Sequence, residues 1–238
     1  MGNAWRIGPY VFVLLSLSLS LSLSLSLSLS HPFLTHIAHR DDTNWDGVLA
    51  NIDINANLSE YAGPGLGWND PCLLLAEDEN GVQRITESQT RFQFSMWAIM
   101  ASPLLISGNI RNMSKTNVET YTNRHVIAIN QDTLGKQCTR VIGSNLSDKN
   151  TTNVWMKTLS DGFAALAFLN VGPEAADVTC DDTCLSKVLP EQSKEKMVVC
   201  AYDVWNDTRE TVALSYRLVA YQVPPNGGVT LYRLGKCA

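Results

Sequence analysis

The sequence predicts two successive textures, an α/β segment and then an all-β segment. Up to about residue 135, helix-period apolar patterns alternate with a short apolar run and a glycine-rich loop, the mark of strand–helix units on a parallel sheet. From about residue 136, short β-type runs follow one another, many separated by Gly, Pro, Asn or Asp, which suggests an antiparallel sandwich. A third stretch, residues 1–38, fits neither texture and is dominated by a Leu-Ser repeat.

Residues Leu15 to Ser30 alternate strictly between leucine and serine, behind a mostly apolar stretch from Tyr10 to Leu15. Three readings stay open: a signal peptide or anchor with Arg6 as a weak basic start, a low-complexity linker, or a translated CT-dinucleotide repeat from a retained intron or faulty gene model. Half the repeat is serine, which argues against a membrane-spanning helix. Nothing divides the repeat into strands of ordinary length.

In the next segment, residues 39–135, Val48, Leu49 and Ile52 are spaced for a helix running from Trp45 to Leu58. Tyr61 to Pro71 is a loop by its glycine and proline content. Thr86 and Gln89 form a capping box ahead of a helix whose apolar face is Phe92, Met96, Ile99 and Met100. Met96 and Trp97 read as core. Pro103 to Gly108 reads as a short buried strand, and helices follow over Lys115–Thr122 and Arg124–Gln131. In residues 136–238 the strands are expected at Asn153–Lys157, Phe163–Asn170, Met197–Val204, Thr211–Leu218, Val219–Val223 and Val229–Leu234.

The chain has 238 residues, a net charge of −5 and no lysine or arginine block, so a phosphate-backbone partner is not expected. Its six cysteines form no C-x-x-C pair, and no histidine stands at zinc-ligand spacing beside them. No metal site and no cofactor is expected. Sequons begin at Asn57, Asn112, Asn145, Asn150 and Asn206. Five sequons among these cysteines fit an oxidising, glycosylating compartment: the secretory pathway, with a lysosomal, vacuolar or extracellular destination.

Several segments in order resemble one family. They are Gly2-Asn-Ala-Trp-Arg6, Asp41-Asp42 with Trp45, Ala62-Gly-Pro-Gly-Leu-Gly-Trp-Asn-Asp-Pro71, Phe94-Ser-Met-Trp-Ala-Ile-Met100, Ser102-Pro-Leu-Leu-Ile106 and Val126-Ile-Ala-Ile-Asn-Gln-Asp132 with Leu134-Gly135. This set is similar to the alpha-galactosidases and alpha-N-acetylgalactosaminidases, or melibiases, of glycoside hydrolase family 27. Cys180-Asp-Asp-Thr-Cys184, with Tyr202 and Trp205, resembles the sandwich of the lysosomal members. The short three-residue spacing and the secretory context lead us to expect a Cys180–Cys184 disulfide.

The resemblance implies the last units of a (β/α)₈ TIM barrel followed by an antiparallel β-sandwich, acting on alpha-galactoside oligosaccharides or glycoconjugates, with a homodimer as in relatives left open. It implies substrate-binding roles for Arg6, Trp68, Asp70 and position 72. Trp68 either stacks on a sugar or packs in its loop; Asp70 either accepts from sugar hydroxyls or caps the loop as an Asx residue. Cys72 stands where many members have a second aspartate, and a thiol cannot accept two strong hydrogen bonds. A retaining glycosidase needs two carboxylates. The family's nucleophile lies in a Y-x-K-x-D segment, which is absent from residues 1–238. Its acid/base aspartate belongs between Arg6 and Trp45, where the Leu-Ser insert splits the pattern. Asp41 is the nearest carboxylate; it reads first as a helix-start acidic pair with Asp42, and only second as a weak substitute acid/base. Deleting roughly Tyr10 to Ala38 would rejoin the pattern, which favours the intron reading. The alternative is a non-catalytic carbohydrate-binding or interaction protein derived from such an enzyme.

Overall fold

The computed structural model describes residues 4–6, 44–190, 198–213 and 217–237. The Leu-Ser run and Asp41 lie outside the described residues. The largest unit is a six-stranded antiparallel sheet in the order β3-β4-β5-β10-β7-β8. Its strands are β3 (Thr139–Ile142), β4 (Thr152–Thr158), β5 (Ala164–Asn170), β7 (Val198–Asp203), β8 (Thr208–Ala213) and β10 (Gly228–Gly235).

Both faces of this sheet are covered, and the alternation of side chains along each strand divides them cleanly. On one face Val154, Leu166, Phe168, Val199, Ala201, Tyr232 and Leu234 pack against a two-stranded sheet of β6 (Ala176–Cys180) and β9 (Leu218–Val223), and against helix α5 (Asp182–Val188). This is the C-terminal β-sandwich. On the other face Trp155, Ala165, Ala167, Leu169 and Leu231 join a core built around helix α2 (Glu87–Ile99). The core therefore runs without a break across residue 136.

Helix α2 begins at the expected capping box: the Thr86 hydroxyl accepts from the Gln89 N–H, and the Gln89 side chain accepts from the Thr86 N–H. Its burial is wider than one face. Phe92, Phe94, Met96, Trp97, Ala98, Ile99 and the capping Met100 are all inaccessible or nearly so, as are Thr90, Gln93 and Ser95. A helix buried on nearly every side, polar residues included, is a central one. Around it stand α1 (Trp45–Asn55), α3 (Lys115–Tyr121) and α4 (Arg124–Asn130). Val48, Leu49 and Ile52 of α1 are buried as the spacing predicts. A short parallel pair, β1 (Ala4–Arg6) with β2 (Trp68–Asp70), and two single 3-10 turns, Ser59–Tyr61 and Leu146–Asp148, complete the described elements.

The structure corrects three expectations. Pro103–Gly108 is not a buried strand: it makes one parallel bridge, Leu74 with Ile106, and Leu105 and Ile106 are 46% and 38% exposed. A run of this composition is buried only when flanked and covered on both sides, and among the described residues it is flanked on one. The strand placed at Thr211–Leu218 is β8, which starts at Thr208. The hairpin turn pairs Asp203 with Thr208 and so sets its start, and β8 is an edge strand that opens with exposed Arg209 and Glu210, charges that protect an edge. β3, β6 and α5 were not anticipated. β6 inserts only Val178 and Cys180 into the core, and α5 is seven residues long with Asp181 as its cap.

Polar anchors fix the helical segment to the sandwich. The Asp53 carboxylate accepts from the Leu146 N–H (2.9 Å), the Ser147 N–H (2.9 Å), the Ser147 hydroxyl (2.7 Å) and Arg140. The Trp205 indole N–H donates to Ser95 Oγ at 2.9 Å, and Gln89 donates to the Asn226 carbonyl at 3.0 Å. Lys157 on β4 is fully buried and donates to the Ala98 carbonyl at 3.3 Å. That places an ammonium at the C-terminal, negative end of α2. Burial lowers its pKa to about 8, against the opposing pull of Cys138 and Asp132, while burial pushes the Cys138 thiol up to about 12.

The consequence for stability has a definite sign. Above about pH 8 the folded state sheds the Lys157 proton while the unfolded chain, near 10.5, keeps it. The unfolded state then binds more protons, so folding stability rises with pH over this window. Urea unfolding between pH 8 and 9.5 should show the native chain gaining about 1 kcal/mol per pH unit relative to Lys157→Met. A native chain that loses ground to the variant over this range would show Lys157 to be charged and well paired instead.

Candidate functional site

The site is assembled from the parallel strand pair and the turn that follows it. In β1–β2, Ala4, Trp5 and Arg6 stand in register with Trp68, Asn69 and Asp70. The backbone of Arg6 is therefore beside that of Asp70; the Arg6 side chain lies outside the described residues. β2 is fixed by its middle residue. Asn69 is 2% exposed and donates to the Leu58 carbonyl (2.8 Å) and to Gln137 Oε1 (2.7 Å), and Gln137 donates to the Asn55 carbonyl at 2.8 Å. With Asn69 turned to that side, alternation sends Trp68 and Asp70 to the other.

Trp68 opens β2, and Cys72 lies two residues beyond its end. At the amino end, the half-buried Trp68 donates its indole N–H to the Gly135 carbonyl at 3.2 Å and lines an open pocket of about 510 Å³ with Pro64, Leu104, Asn130 and Asp132. Asp132 is held from two sides: it accepts from the Ser160 N–H and hydroxyl in the sandwich and from the Leu134 N–H beside it. Burial works against its charge, but those hydrogen bonds and the nearby Lys157 outweigh it and keep the carboxyl below its ordinary pKa.

At the carboxyl end, Asp70-Pro71-Cys72 forms a tight turn. Asp70 is 7% exposed, and its Oδ1 accepts the Cys72 N–H at 3.0 Å, an Asx-type contact. Asn51 on α1 donates to the Pro71 carbonyl at 3.1 Å, and Trp97 on α2 donates its indole N–H to the Cys72 carbonyl at 2.9 Å. Gln93 then grips the extended residues that follow, accepting from the Leu75 N–H (2.9 Å) and donating to the Leu73 carbonyl (3.0 Å). Cys72 itself is half-buried, free and left-handed, with φ 84°. A side chain other than Gly is strained there, so the conformation is imposed by its neighbours.

Sequence reasoning missed the residues that hold this turn. Asn51, Gln93 and Trp97 act through partners 18 to 25 residues away in the chain. For Asn51 and Gln93 the one sequence signal was polarity inside otherwise apolar helical faces; Trp97, read as core, is core, and only its indole contact went unread. Among the described residues no group of His, Cys, Asp and Glu could hold a metal ion, and no helix is long and apolar enough to cross a membrane. The expected Cys180–Cys184 disulfide is present, together with Cys200–Cys237. All five sequon asparagines are exposed.

Residues 38–132 match the family model described as alpha galactosidase A. The chain is 42% identical over 135 residues to alpha-galactosidase A of Cellvibrio japonicus, an alignment spanning 57% of this chain and 31% of that protein. It is 33% identical over 171 residues to the alpha-galactosidase of Cyamopsis tetragonoloba, spanning 72% of this chain and 38% of that protein. The chain thus spans about a third of the length of these relatives. The structure of alpha-galactosidase from Saccharomyces cerevisiae with raffinose superposes with a TM-score of 0.68 at 23% identity, covering 80% of this chain and 51% of that one, a likeness of fold.

The strained position gives a direct test. Cys72→Gly should keep or raise stability, by up to about 1 kcal/mol, because glycine adopts this φ freely. Trp97→Phe should cost about 1–3 kcal/mol by stranding the Cys72 carbonyl. Chemical denaturation of both variants checks this, and a destabilising Cys72→Gly would show that the thiol, rather than the backbone, stabilises the turn.

Proposed function

We propose, for a chain that belongs over residues 38–132 to the alpha-galactosidase family, that it supplies the last strand–helix units of a (β/α)₈ barrel and the sandwich of a retaining glycoside hydrolase acting on terminal alpha-galactosides. The division falls between residues 39–135 and 136–238. The observation that carries the reading is the parallel register that sets Arg6 beside Asp70, with the Asp70–Cys72 turn at the carboxyl ends of both strands. The carboxyl ends of parallel barrel strands are where such folds place substrate.

In this reading Arg6 and Asp70 bind sugar hydroxyls, and Cys72 offers a weaker, softer contact than a carboxylate would. Trp68, at the other end of its strand, holds the loop and Gly135 in place. Double displacement requires a nucleophile and a separate acid/base, about 5–5.5 Å apart. Residues 1–238 contain no Y-x-K-x-D segment to supply the first. Asp41 as the second would need accurate placement, since a misplacement of about 1 Å can cost about a hundredfold in rate. Residues 1–238 alone are therefore inactive. Two disulfides and five exposed sequons support residence in the secretory pathway. The choice of a thiol at position 72 favours one second reading, a non-catalytic sugar-binding protein of the same descent.

Purified residues 1–238 should release no aryl product from an aryl alpha-galactoside above background. A chain that also carries upstream barrel strands with a Y-x-K-x-D segment, and lacks residues 10–38, should hydrolyse it with retention of configuration. Turnover by residues 1–238 would contradict the proposal. A folded restored chain that binds galactose without turnover would establish the sugar-binding reading instead.

A further inference from the structure

The β7–β8 hairpin presents a sequon unlike a loose surface loop. Its turn, Val204 to Asp207, closes on Asp207 N–H donating to the Asp203 carbonyl at 3.0 Å, with Asp207 at φ 55°. The Asp203 carboxylate is 5% exposed and gathers three donors: the Trp205 N–H (2.9 Å), the Asn206 N–H (3.1 Å) and the Asn206 side-chain amide (2.8 Å). The acceptor asparagine of Asn206-Asp-Thr208 is thus exposed yet held in one orientation.

The ring beside it is equally fixed. Trp205 is half-buried, its indole N–H bound to Ser95 Oγ and the Arg91 guanidinium 5.5 Å from the ring centroid. Tyr202, also half-buried, donates its hydroxyl to Asp207 and meets the His125 ring at 5.0 Å between centroids, tilted by 56°. A rigid aromatic surface costs little conformational entropy on contact, and the C–H face of a pyranose is a suitable apolar partner for it.

We propose that Asn206 carries an N-linked oligosaccharide whose first N-acetylglucosamine lies on the exposed part of Trp205. The sugar then covers the part of the half-buried Trp205 ring that Arg91 and the core leave accessible, at the seam between α2 and the sandwich. This rests on the secretory reading above and deepens it by assigning one sequon a structural partner.

The test uses the 238-residue chain recovered from the secretory pathway of a glycosylating host, with peptide mapping of glycans and hydroxyl-radical footprinting of the tryptophans. The Asn206 peptide should be glycosylated. Trp205 should be oxidised at least twofold more slowly than in Asn206→Gln, with Trp45 unchanged. Trimming the glycan to a single N-acetylglucosamine should preserve this protection, a readout available even if Asn206→Gln folds poorly. Removing the sequon at Asn57 should leave Trp205 labelling unaltered. An unmodified Asn206 beside occupied sequons elsewhere would overturn the inference alone, as would an occupied Asn206 with full, unprotected Trp205 labelling after and before trimming. A chain with no occupied sequon would overturn the secretory reading as well.

Discussion

The structure depends on the burial of α2 between a loop that shapes the candidate site and a sheet that does not. Phe92, Phe94, Met96, Trp97, Ile99 and Met100 are each at most 1% exposed. Full burial of a large apolar side chain is worth about 1.5–3 kcal/mol relative to leaving it exposed. Six such residues on thirteen-residue α2 and its cap outweigh any single polar contact in the chain. The polar groups of the same helix decide direction. Gln93 and Trp97 reach toward residues 72–75, while Ser88, Gln89 and Ser95 reach toward the sandwich.

This arrangement explains why a sandwich without site residues accompanies the strand pair. The turn at Cys72 is strained and short, and it is held through Trp97. Trp97 is held by a core that includes Trp155, Ala165, Ala167 and Leu231 of the six-stranded sheet. An interface this apolar makes the two segments move as one body, in contrast to the polar, mobile contacts common between domains. The Asp53 and Asp132 carboxylates add geometric specificity at the periphery, Asp53 collecting several donors from the sandwich and Asp132 the N–H and hydroxyl of Ser160.

Much of the local structure was legible in the sequence. The Thr86–Gln89 capping box, the α1 spacing and the short β-type runs at β4, β5 and β10 are each local signals, and each is found in the structure. What was not legible depends on partners remote in the chain. Asp53 reads as an ordinary exposed helix residue until Leu146 and Ser147 are brought to it. Lys157 reads as the polar side of a strand until α2 covers it. The run at Pro103–Gly108 fails for the same reason in reverse, because its composition describes surroundings that the described residues supply on one side only. At the site, the spacing from Trp68 to Cys72 was visible, but the left-handed Cys72 and its grip by Trp97 were not.

Amide hydrogen exchange followed by mass spectrometry tests the central claim, that α2 joins the site-bearing segment and the sandwich into one cooperative unit. Exchange through global opening reports the full stability of the unit to which an amide belongs. The amides of Phe92–Ile99 should fall in the same slowest class as those of β5 and β10, and should lose protection together with them as urea is added. Fast exchange in α2 while β5 and β10 stay protected would contradict the account.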